Sequence, residues 1–203
     1  MNAPQGLVDV PRETSERLEA FIKFLRSESE RQNLVSRASL DEVWTRHVLD
    51  SLQLLRLAEP HATSWLDLGT GAGFPGLVLA AVHKARFTLA ESRKLRVDFL
   101  RQGASILGVS DRVEVVGTRV EAMLPMPFDV ISARAFAPLD RLLAVALPFS
   151  TAKTRWILPK GRNAKSELEA ARSSWQGDFR LEPSRTDPEA HIIVAEGVKR
   201  KRK

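Results

Sequence analysis

Cysteine is absent from the 203 residues of this chain. Its absence excludes disulfides, thiolate zinc sites, iron–sulfur clusters and any cysteine nucleophile. Histidine is scarce as well, and the four copies lie far apart in the sequence, at His47, His61, His83 and His191. Because no pair of them has the spacing of a metal site, we expect a protein that binds no metal.

Long apolar runs are also missing. No stretch approaches the roughly 20 apolar residues that a membrane-spanning helix needs. The first ten residues, MNAPQGLVDV, lack the apolar core of a signal peptide. We therefore expect a soluble, cytoplasmic protein without a membrane partner. The length suits one sizeable α/β domain plus an appendage.

The basic charge of the chain is concentrated in one short segment. The formal net charge is +6, from 31 basic and 25 acidic residues, and five of the bases are residues 199–203. Without them, 26 bases face 25 acids, so the rest of the chain is not a polycationic nucleic-acid binder. The basic segment could contact RNA phosphates or be a disordered, solvated terminus, and its composition favours neither interpretation.

The most informative stretch is WLDLGTGAGFPG, at residues 65–76. It is typical of a short apolar strand, a glycine-rich turn and a helix that opens near Phe74. Three glycines, Gly69, Gly71 and Gly73, allow main-chain N–H groups to approach a ligand closely. The stretch predicts a site for a nucleotide-like cofactor.

Two cofactors compete for this loop. Residues 71–76 form a literal G-x-G-x-x-G, which would suit an NAD-binding oxidoreductase. Residues 67–73 also fit the D-x-G-x-G-x-G loop that binds S-adenosylmethionine (SAM). Asp67 favours SAM, because a carboxylate repels a pyrophosphate but attracts an ammonium and a sulfonium. The structural alternative for Asp67 is a carboxylate that caps the following turn.

A second acidic residue ends the next predicted strand. Glu91 lies 22 residues after Gly69, where a carboxylate could accept hydrogen bonds from two ribose hydroxyls. Its structural alternative is to stabilise the N-terminus of the helix that follows Ser92, and both roles can hold together.

Strand-like and helix-like patterns alternate from residue 64 onwards. The predicted order is strand 65–68, helix 75–83, strand 87–91, helix 93–107, strand 113–116, short helix 120–123, strand 129–133, helix 139–147, strand 155–158 and helix 164–175. Two later strands, 179–182 and 191–196, have no helix between them and should pair as an antiparallel hairpin. The pattern predicts an α/β fold with the mostly parallel, Rossmann-like sheet of SAM-dependent methyltransferases.

The region before residue 64 is predicted to be helical. Apolar residues recur at helical spacing within 11–34, and Ser39 with Glu42 forms a capping-box pair that should open a second helix. We expect three segments: an N-terminal helical extension at 1–63, a methyltransferase domain at 64–198 and a basic tail at 199–203.

The carboxyl ends of the later strands supply further candidates, since ligands bind at that edge of such sheets. Glu121 could read an adenine edge or simply stabilise a helical turn. Arg134 could bind a carboxylate or phosphate while Phe136 stacks on a base, or the two could serve ion pairing and packing. Lys160 reaches the same rim or is merely solvated. His47 shares a helical face with Asp50 and could shape the substrate entrance or tie the helices to the sheet.

Several of these stretches together resemble one family. The chain is similar to the RsmG (GidB) family of bacterial rRNA guanine-N7 methyltransferases, and the similarity spans most of the chain. The matching stretches are NLVS at 33–36, RHVLDSL at 46–52, LDLGTGAGFPG at 66–76, TRVE at 118–121, SARAFAP at 132–138 and PKG at 159–161. One departure is Glu91, where the family often has aspartate followed by serine and lysine.

The resemblance implies methyl transfer from SAM to N7 of the guanine at position 527 of 16S rRNA. It places cofactor contacts at Gly69, Phe74, Val120, Glu121 and Arg134. The partner would be 16S rRNA or an assembling small subunit, and we expect a monomer. An NAD-dependent oxidoreductase and a non-catalytic SAM-binding RNA module remain as alternatives.

The residue inventory agrees with this chemistry. Guanine N7 is an unprotonated lone pair, so an enzyme can work mainly by orientation and needs no dedicated base. We predict no certain catalytic residue and four candidates for positioning the substrate: Arg134, Phe136, Lys160 and His47. The predicted cofactor-binding residues are Asp67, Gly69, Gly71, Gly73, Phe74, Glu91, Ser92, Val120, Glu121 and Arg134.

Overall fold

The computed structural model describes residues 10–202, which form one seven-stranded sheet with helices on both faces. The strands are β1 Ser64–Leu68, β2 Arg86–Ala90, β3 Val113–Val116, β4 Val130–Ala133, β5 Arg155–Lys160, β6 Trp175–Pro183 and β7 His191–Arg200. The helices are α1 Arg12–Ser29, α2 Arg37–Asp41, α3 Asp50–Leu52, α4 Gly76–Val82, α5 Lys94–Ile106, α6 Leu139–Ala146 and α7 Ala164–Ala171.

The order of the strands confirms the predicted fold class. Across the sheet it is β3-β2-β1-β4-β5-β7-β6, in which the pairs among β1 to β5 are parallel. Strand β7 is antiparallel to both β5 and β6, so the expected hairpin is present. A dinucleotide-binding sheet has the order 3-2-1-4-5-6, and the inserted antiparallel β7 departs from it.

Both faces of the sheet are buried, and successive residues of a strand enter opposite cores. In β1, Trp65 belongs to the core beneath α1, α4 and α5, while Leu66 belongs to the core beneath α6 and α7. Both side chains are fully buried. This two-sided burial explains why the central strands read as continuous apolar runs.

The N-terminal helices differ from the prediction in one respect. Helix α1 buries the residues at helical spacing, as expected, but the capping-box prediction at Ser39 is wrong. Ser36 is the N-cap, because its Oγ accepts a hydrogen bond from the N–H of Ser39. The predicted second helix is also interrupted: after α2 come a π-helical turn at Trp44–Leu49, the short α3 and a 3-10 turn at Gln53–Leu57.

The hairpin is longer than the sequence pattern indicates. Helix α7 ends at Ala171, and β6 begins at Trp175. Trp175 pairs with Arg200 and Gln176 with Lys199, so the first two residues of the predicted tail are strand residues. Strand β7 therefore continues past the predicted boundary at residue 199, while Lys203 lies outside the described residues. Among residues 10–202, no helix has the length and apolarity to cross a membrane.

Candidate active site

Asp67, in strand β1, stabilises the end of the glycine loop through hydrogen bonds from the buried side of the loop. Its Oδ2 accepts a hydrogen bond from the N–H of Gly76 at 3.0 Å, and its Oδ1 accepts one from the Ser132 hydroxyl at 2.7 Å. Burial raises the pKa of the Asp67 carboxyl to about 6, against the opposing effect of these hydrogen bonds. The side chain is fully buried and lines neither of the cavities described below, so the structure gives Asp67 the capping role.

A first cavity of about 470 Å³ lies beyond the carboxyl ends of β1, β2 and β3. Five of the predicted cofactor residues line it, namely Gly69, Glu91, Ser92, Val120 and Glu121. Its other lining residues include Arg93, Arg96, Thr118, Arg119 and Arg141. No sequence motif singled out Arg96 or Arg141 as members of a site.

Glu91 is the buried acidic residue that lines the first cavity and can accept hydrogen bonds from a ligand there. The side chain is buried, and its Oε1 accepts a hydrogen bond from the N–H of Arg93 at 2.9 Å. Its Oε2 lies 3.8 Å from Nη1 of Arg96. The helix-ordering role considered for Glu91 therefore holds, and the carboxylate keeps lone pairs for further donors, such as the hydroxyls of a ribose.

The first cavity fits a nucleoside. Glu91 can accept hydrogen bonds from a ribose diol, and the buried Val120 offers an apolar contact to a base. The backbone at Gly69 adopts a φ of 62°, a conformation that favours glycine, and its N–H donates to the carbonyl of Ala90 at 2.9 Å.

The remaining residues of the glycine loop do not line this cavity. Phe74 is buried in the core, with its ring stacked on His47 at a centroid distance of 4.7 Å. A Cβ at Gly73 would lie 2.7 Å from Cδ1 of Leu77, so this glycine serves close packing. A Cβ at Gly71 would meet nothing closer than 3.6 Å.

A second cavity of about 830 Å³ lies on the other side of the loop that follows β4. Its walls come from the N-terminal helices, the ends of β4 and β5, and the turn between β6 and β7. The charged lining residues are balanced: Arg46, Arg134, Lys160 and Arg162 against Glu42, Asp50, Glu167 and Asp187. Three of the four predicted positioning residues, His47, Arg134 and Lys160, line this cavity and not the first.

Phe136 and its two neighbours form the wall between the cavities. Ala135, Phe136 and Ala137 line both of them. The Phe136 ring lies directly over Gly69, where a Cβ would come within 2.5 Å of its Cδ2. Ala135 has a φ of 51°, the one positive value among the described residues other than glycine. Backbone strain of this kind is concentrated at functional sites.

Arg134 is held by the N-terminal helices. Its Nη1 donates hydrogen bonds to the carbonyl of Arg46 at 3.0 Å and to Oδ2 of Asp50 at 3.1 Å. Its Nη2 donates to Nδ1 of His47 at 2.9 Å, and its guanidinium lies 5.4 Å from the centroid of the Phe74 ring. Arg134 thus lines the second cavity while holding one of its walls in place.

His47 is a neutral acceptor in this network. Burial and the positive charges of Arg134 and Arg46 lower the pKa of His47 to about 4. Because Nδ1 accepts from Arg134, the ring proton resides on Nε2, which is buried and has no hydrogen-bond partner among the described residues.

Lys160, like Arg134, donates hydrogen bonds to neighbouring groups of the protein. Its Nζ donates to the carbonyl of Ala137 at 2.7 Å and to Oε2 of Glu167 at 2.8 Å. The same Glu167 oxygen accepts the N–H of Leu139 at the start of α6. Lys160 therefore holds the wall between the cavities from the β5 side.

The turn between β6 and β7 supplies contacts that no sequence pattern indicated. Thr186 donates from its hydroxyl to Oδ1 of Asp50 at 2.9 Å, and Gln53 binds both Ser184 and Thr186. No motif marks this turn, because Gln53 lies 131 and 133 residues away from these two partners in sequence. Within residues 10–202, no group of three histidine or acidic side chains could hold a metal ion.

The family model described as rRNA small subunit methyltransferase G (GidB) matches residues 14–185. Two similar proteins bear the name ribosomal RNA small subunit methyltransferase G. The one from Rhizorhabdus wittichii is 54% identical over 191 residues, covering 93% of this chain and 88% of the relative. The one from Zymomonas mobilis is 48% identical over 196 residues, with the same coverage of each chain.

Solved structures agree with the fold. An O-methyltransferase from Bacillus cereus in complex with SAH has a TM-score of 0.60 at 16% identity, covering 94% of this chain and 93% of the other. A ribosomal protein L11 methylase from Lactobacillus delbrueckii has a TM-score of 0.59 at 17% identity, covering 77% and 79%. At such identities the likeness establishes the fold alone.

Proposed function

Since this chain belongs to the rRNA small subunit methyltransferase G family, we propose that it transfers a methyl group from SAM to N7 of a guanine in 16S rRNA. The acceptor would be position 527, as the family resemblance implies. The observation that carries the proposal is the pair of cavities that meet at Ala135, Phe136 and Ala137. Two substrates that exchange a methyl group need adjoining sites, with the reacting atoms in direct contact where the two sites meet.

The first cavity is the proposed SAM site. Glu91 would accept the ribose hydroxyls, and Val120 would contact the adenine. Two carboxylates, those of Glu91 and Glu121, and four arginines line this cavity, and Arg96 and Arg141 lie within ion-pair distance of the two acids. SAM supplies the methyl group as an electrophile attached to a positive sulfur.

The second cavity is the proposed site of the guanine. Its volume of about 830 Å³ lies within the range of small-molecule sites and exceeds that of the first cavity. Arg46 and Arg162 are exposed at its rim, where they are paired with Glu42 and Glu189. Because such exposed ion pairs are weak, both guanidiniums can turn to the phosphates that flank the base. Phe136 offers an aromatic face at the boundary, on which a base can stack.

The proposed chemistry requires orientation rather than proton removal. Guanine N7 carries its lone pair in the neutral base, so the side chains need only present it to the methyl group. Arg134 and Lys160 have donors committed to structural hydrogen bonds. We assign both as positioning residues that hold the two walls around Phe136.

The experiment is methyl transfer from labelled SAM to 16S rRNA, followed by mapping of N7-methylguanine. Purified protein should label one guanine in free 16S rRNA, in small subunits or in both, and the Glu91→Gln variant should label it far less. Label in another base, or in an exocyclic amine, would reject the proposal. Tight NAD binding without SAM binding would favour an oxidoreductase, and SAM binding without transfer would favour a non-catalytic module.

The same material answers two finer proposals. Comparison of naked 16S rRNA with small-subunit particles identifies the natural acceptor. Sedimentation of the purified protein tests the expected monomer, and cell fractionation tests the expected cytoplasmic location.

A further inference from the structure

A cluster of cations lies at the far end of the β6–β7 hairpin. We call it the hairpin basic patch and define it as Arg172, Lys199, Arg200, Lys201 and Arg202. Four of the five surround a depression of about 430 Å³ that is also lined by Gln176. Arg172 joins them because its carbonyl accepts a hydrogen bond from Nζ of Lys201.

The backbone of this patch is ordered by the sheet. Lys199 and Arg200 pair with β6, and the N–H of Lys201 donates to the carbonyl of Ser174 at 2.9 Å. The guanidinium of Arg200 lies 5.5 Å from the centroid of the Trp175 ring. A ligand that binds here meets cations on a backbone that the sheet already orders, so less conformational entropy is lost than with a mobile tail.

The charges of the patch are not neutralised by acids of the described chain. None of its five side chains comes within ion-pair distance of a carboxylate belonging to residues 10–202. Arg155, on the neighbouring strand β5, is by contrast paired with both Glu59 and Glu196. The hairpin end therefore presents an uncompensated positive field, which attracts polyanions.

The patch is remote from the two cavities. Strand β7 begins at His191, opposite Lys160 at the rim of the second cavity, and runs to Arg200 at the opposite edge of the sheet. Nine residues at about 3.3 Å each give a separation of roughly 30 Å. The patch cannot touch the reacting nucleotide, but it can touch the same RNA further along its backbone.

We propose that the hairpin basic patch binds backbone phosphates of the substrate RNA about 30 Å from the methylated base. The RNA as partner rests on the proposed function, whereas the site itself rests on the charge and order of the hairpin end. An anionic membrane is the weaker alternative, because surface anchors combine cations with exposed apolar side chains. Trp175 is buried, and the exposed large apolar residues of the described chain are Leu95, Leu124 and Met126, outside the hairpin.

The test neutralises two exposed cations whose side chains carry no structural hydrogen bond in the described chain. Lys199→Gln/Arg202→Gln is compared with the matched control Lys84→Gln/Arg86→Gln, which removes the same charge at the start of β2. Binding to 16S rRNA is measured without SAM across a salt series. The patch variant should bind about tenfold more weakly at low salt. Its slope of log K against log salt should become shallower by about 0.7 to 0.9 for each phosphate that is no longer neutralised.

The control double variant should match the wild type in affinity and slope. Melting temperatures should agree among all three proteins, which excludes a folding defect. Equal RNA affinity and slope in the patch variant and the control would overturn the inference, as would weaker binding to vesicles of phosphatidylglycerol without a change in RNA binding.

A kinetic readout separates this inference from the proposed function. The patch variant should raise KM for RNA and leave both kcat and the SAM affinity unchanged. If the wild type binds 16S rRNA in a patch-dependent manner but methylates no guanine, the proposed reaction fails and the patch stands.

Discussion

The guanidinium of Arg134 donates a hydrogen bond to Nδ1 of His47 over 2.9 Å, and so joins the end of β4 to the π-helical turn of the N-terminal region. Asp50 accepts from the same guanidinium, and the Phe74 ring packs against both the His47 ring and the guanidinium. One arginine thereby connects the glycine loop, the wall between the cavities and the N-terminal helices.

The first prediction concerns the protonation of His47. Its pKa is near 6.5 in the unfolded chain and about 4 in the fold, so the unfolded state binds more protons between these values. His47 therefore lowers the stability as pH falls from 6.5 towards 4. His47→Gln keeps an acceptor for Arg134 and should remove this destabilisation. Urea unfolding at pH 7, 5.5 and 4.5 measures it, and an unchanged pH dependence would contradict the assignment.

Asp67 should act in the opposite direction. Its pKa is raised from 3.8 to about 6, so the folded state binds more protons in that interval and gains stability as pH falls through it. Asp67→Asn retains an acceptor for the N–H of Gly76 and should abolish this gain. The same urea series measures it. A gain on acidification as large in the variant as in the wild type would refute the prediction.

The third prediction separates positioning from cofactor binding at Arg134. Arg134→Lys keeps the charge, but a lysine cannot donate hydrogen bonds to the Arg46 carbonyl, Asp50 and His47 at the same time with the geometry of a guanidinium. We expect the stability to fall by about 1 to 3 kcal/mol and kcat to fall roughly tenfold to a hundredfold through misplacement of the wall. SAM affinity, measured by calorimetry, should change little. Arg101→Lys, an exposed arginine of α5 that lines neither cavity, is the control. A large decrease in SAM affinity would instead support the family-derived cofactor contact.

The fourth prediction tests the cofactor site. Glu91→Gln should weaken SAM binding by about 1 to 3 kcal/mol, because one charge-assisted acceptor is removed. Glu114→Gln, an exposed acid on the adjacent β3, should bind SAM normally. Calorimetric titration compares the two variants, and equal affinities would exclude Glu91 from the site.

The fifth prediction uses the contact between Gly69 and Phe136. Gly69→Ala introduces a methyl group 2.5 Å from the Phe136 ring at a φ of 62°, so the ring must move and the backbone is strained. SAM binding and methyl transfer should both fall. Gly69→Ala/Phe136→Ala should recover SAM binding in part, since the clash is gone while the strain persists. If SAM binding does not recover, the loss is caused by the backbone conformation at Gly69 and not by the contact with Phe136.

The fold could be predicted from the sequence because its signals are local. Alternating strand and helix patterns, the apolar spacing of α1 and the absence of a helix between the last two strands all depend on neighbouring residues. The errors arose where local patterns compete. Ser36 and Ser39 can both cap a helix, and Trp175 fits equally the end of α7 or the start of β6 until it pairs with Arg200.

The chemistry of the two acids required the fold. Asp67 and Glu91 both end strands in the sequence, yet Asp67 points back to Gly76 and Ser132 while Glu91 lines the first cavity. Each residue had two roles open to it on sequence grounds. The packing of the strands decides whether each carboxylate faces the buried side of the loop or the cavity.

By itself, the sequence determined a cysteine-free α/β chain with a glycine loop after its first strand, because composition and short-range spacing carry that information. The methyltransferase reaction was implied by the resemblance of several such stretches to one family. Only the tertiary structure decided that Arg134, His47 and Lys160 hold walls, and that Phe136 divides two cavities. The pair Arg134 and His47, for example, is separated by 87 positions in sequence. Such contacts exist only after the sheet has brought distant strand ends to one edge.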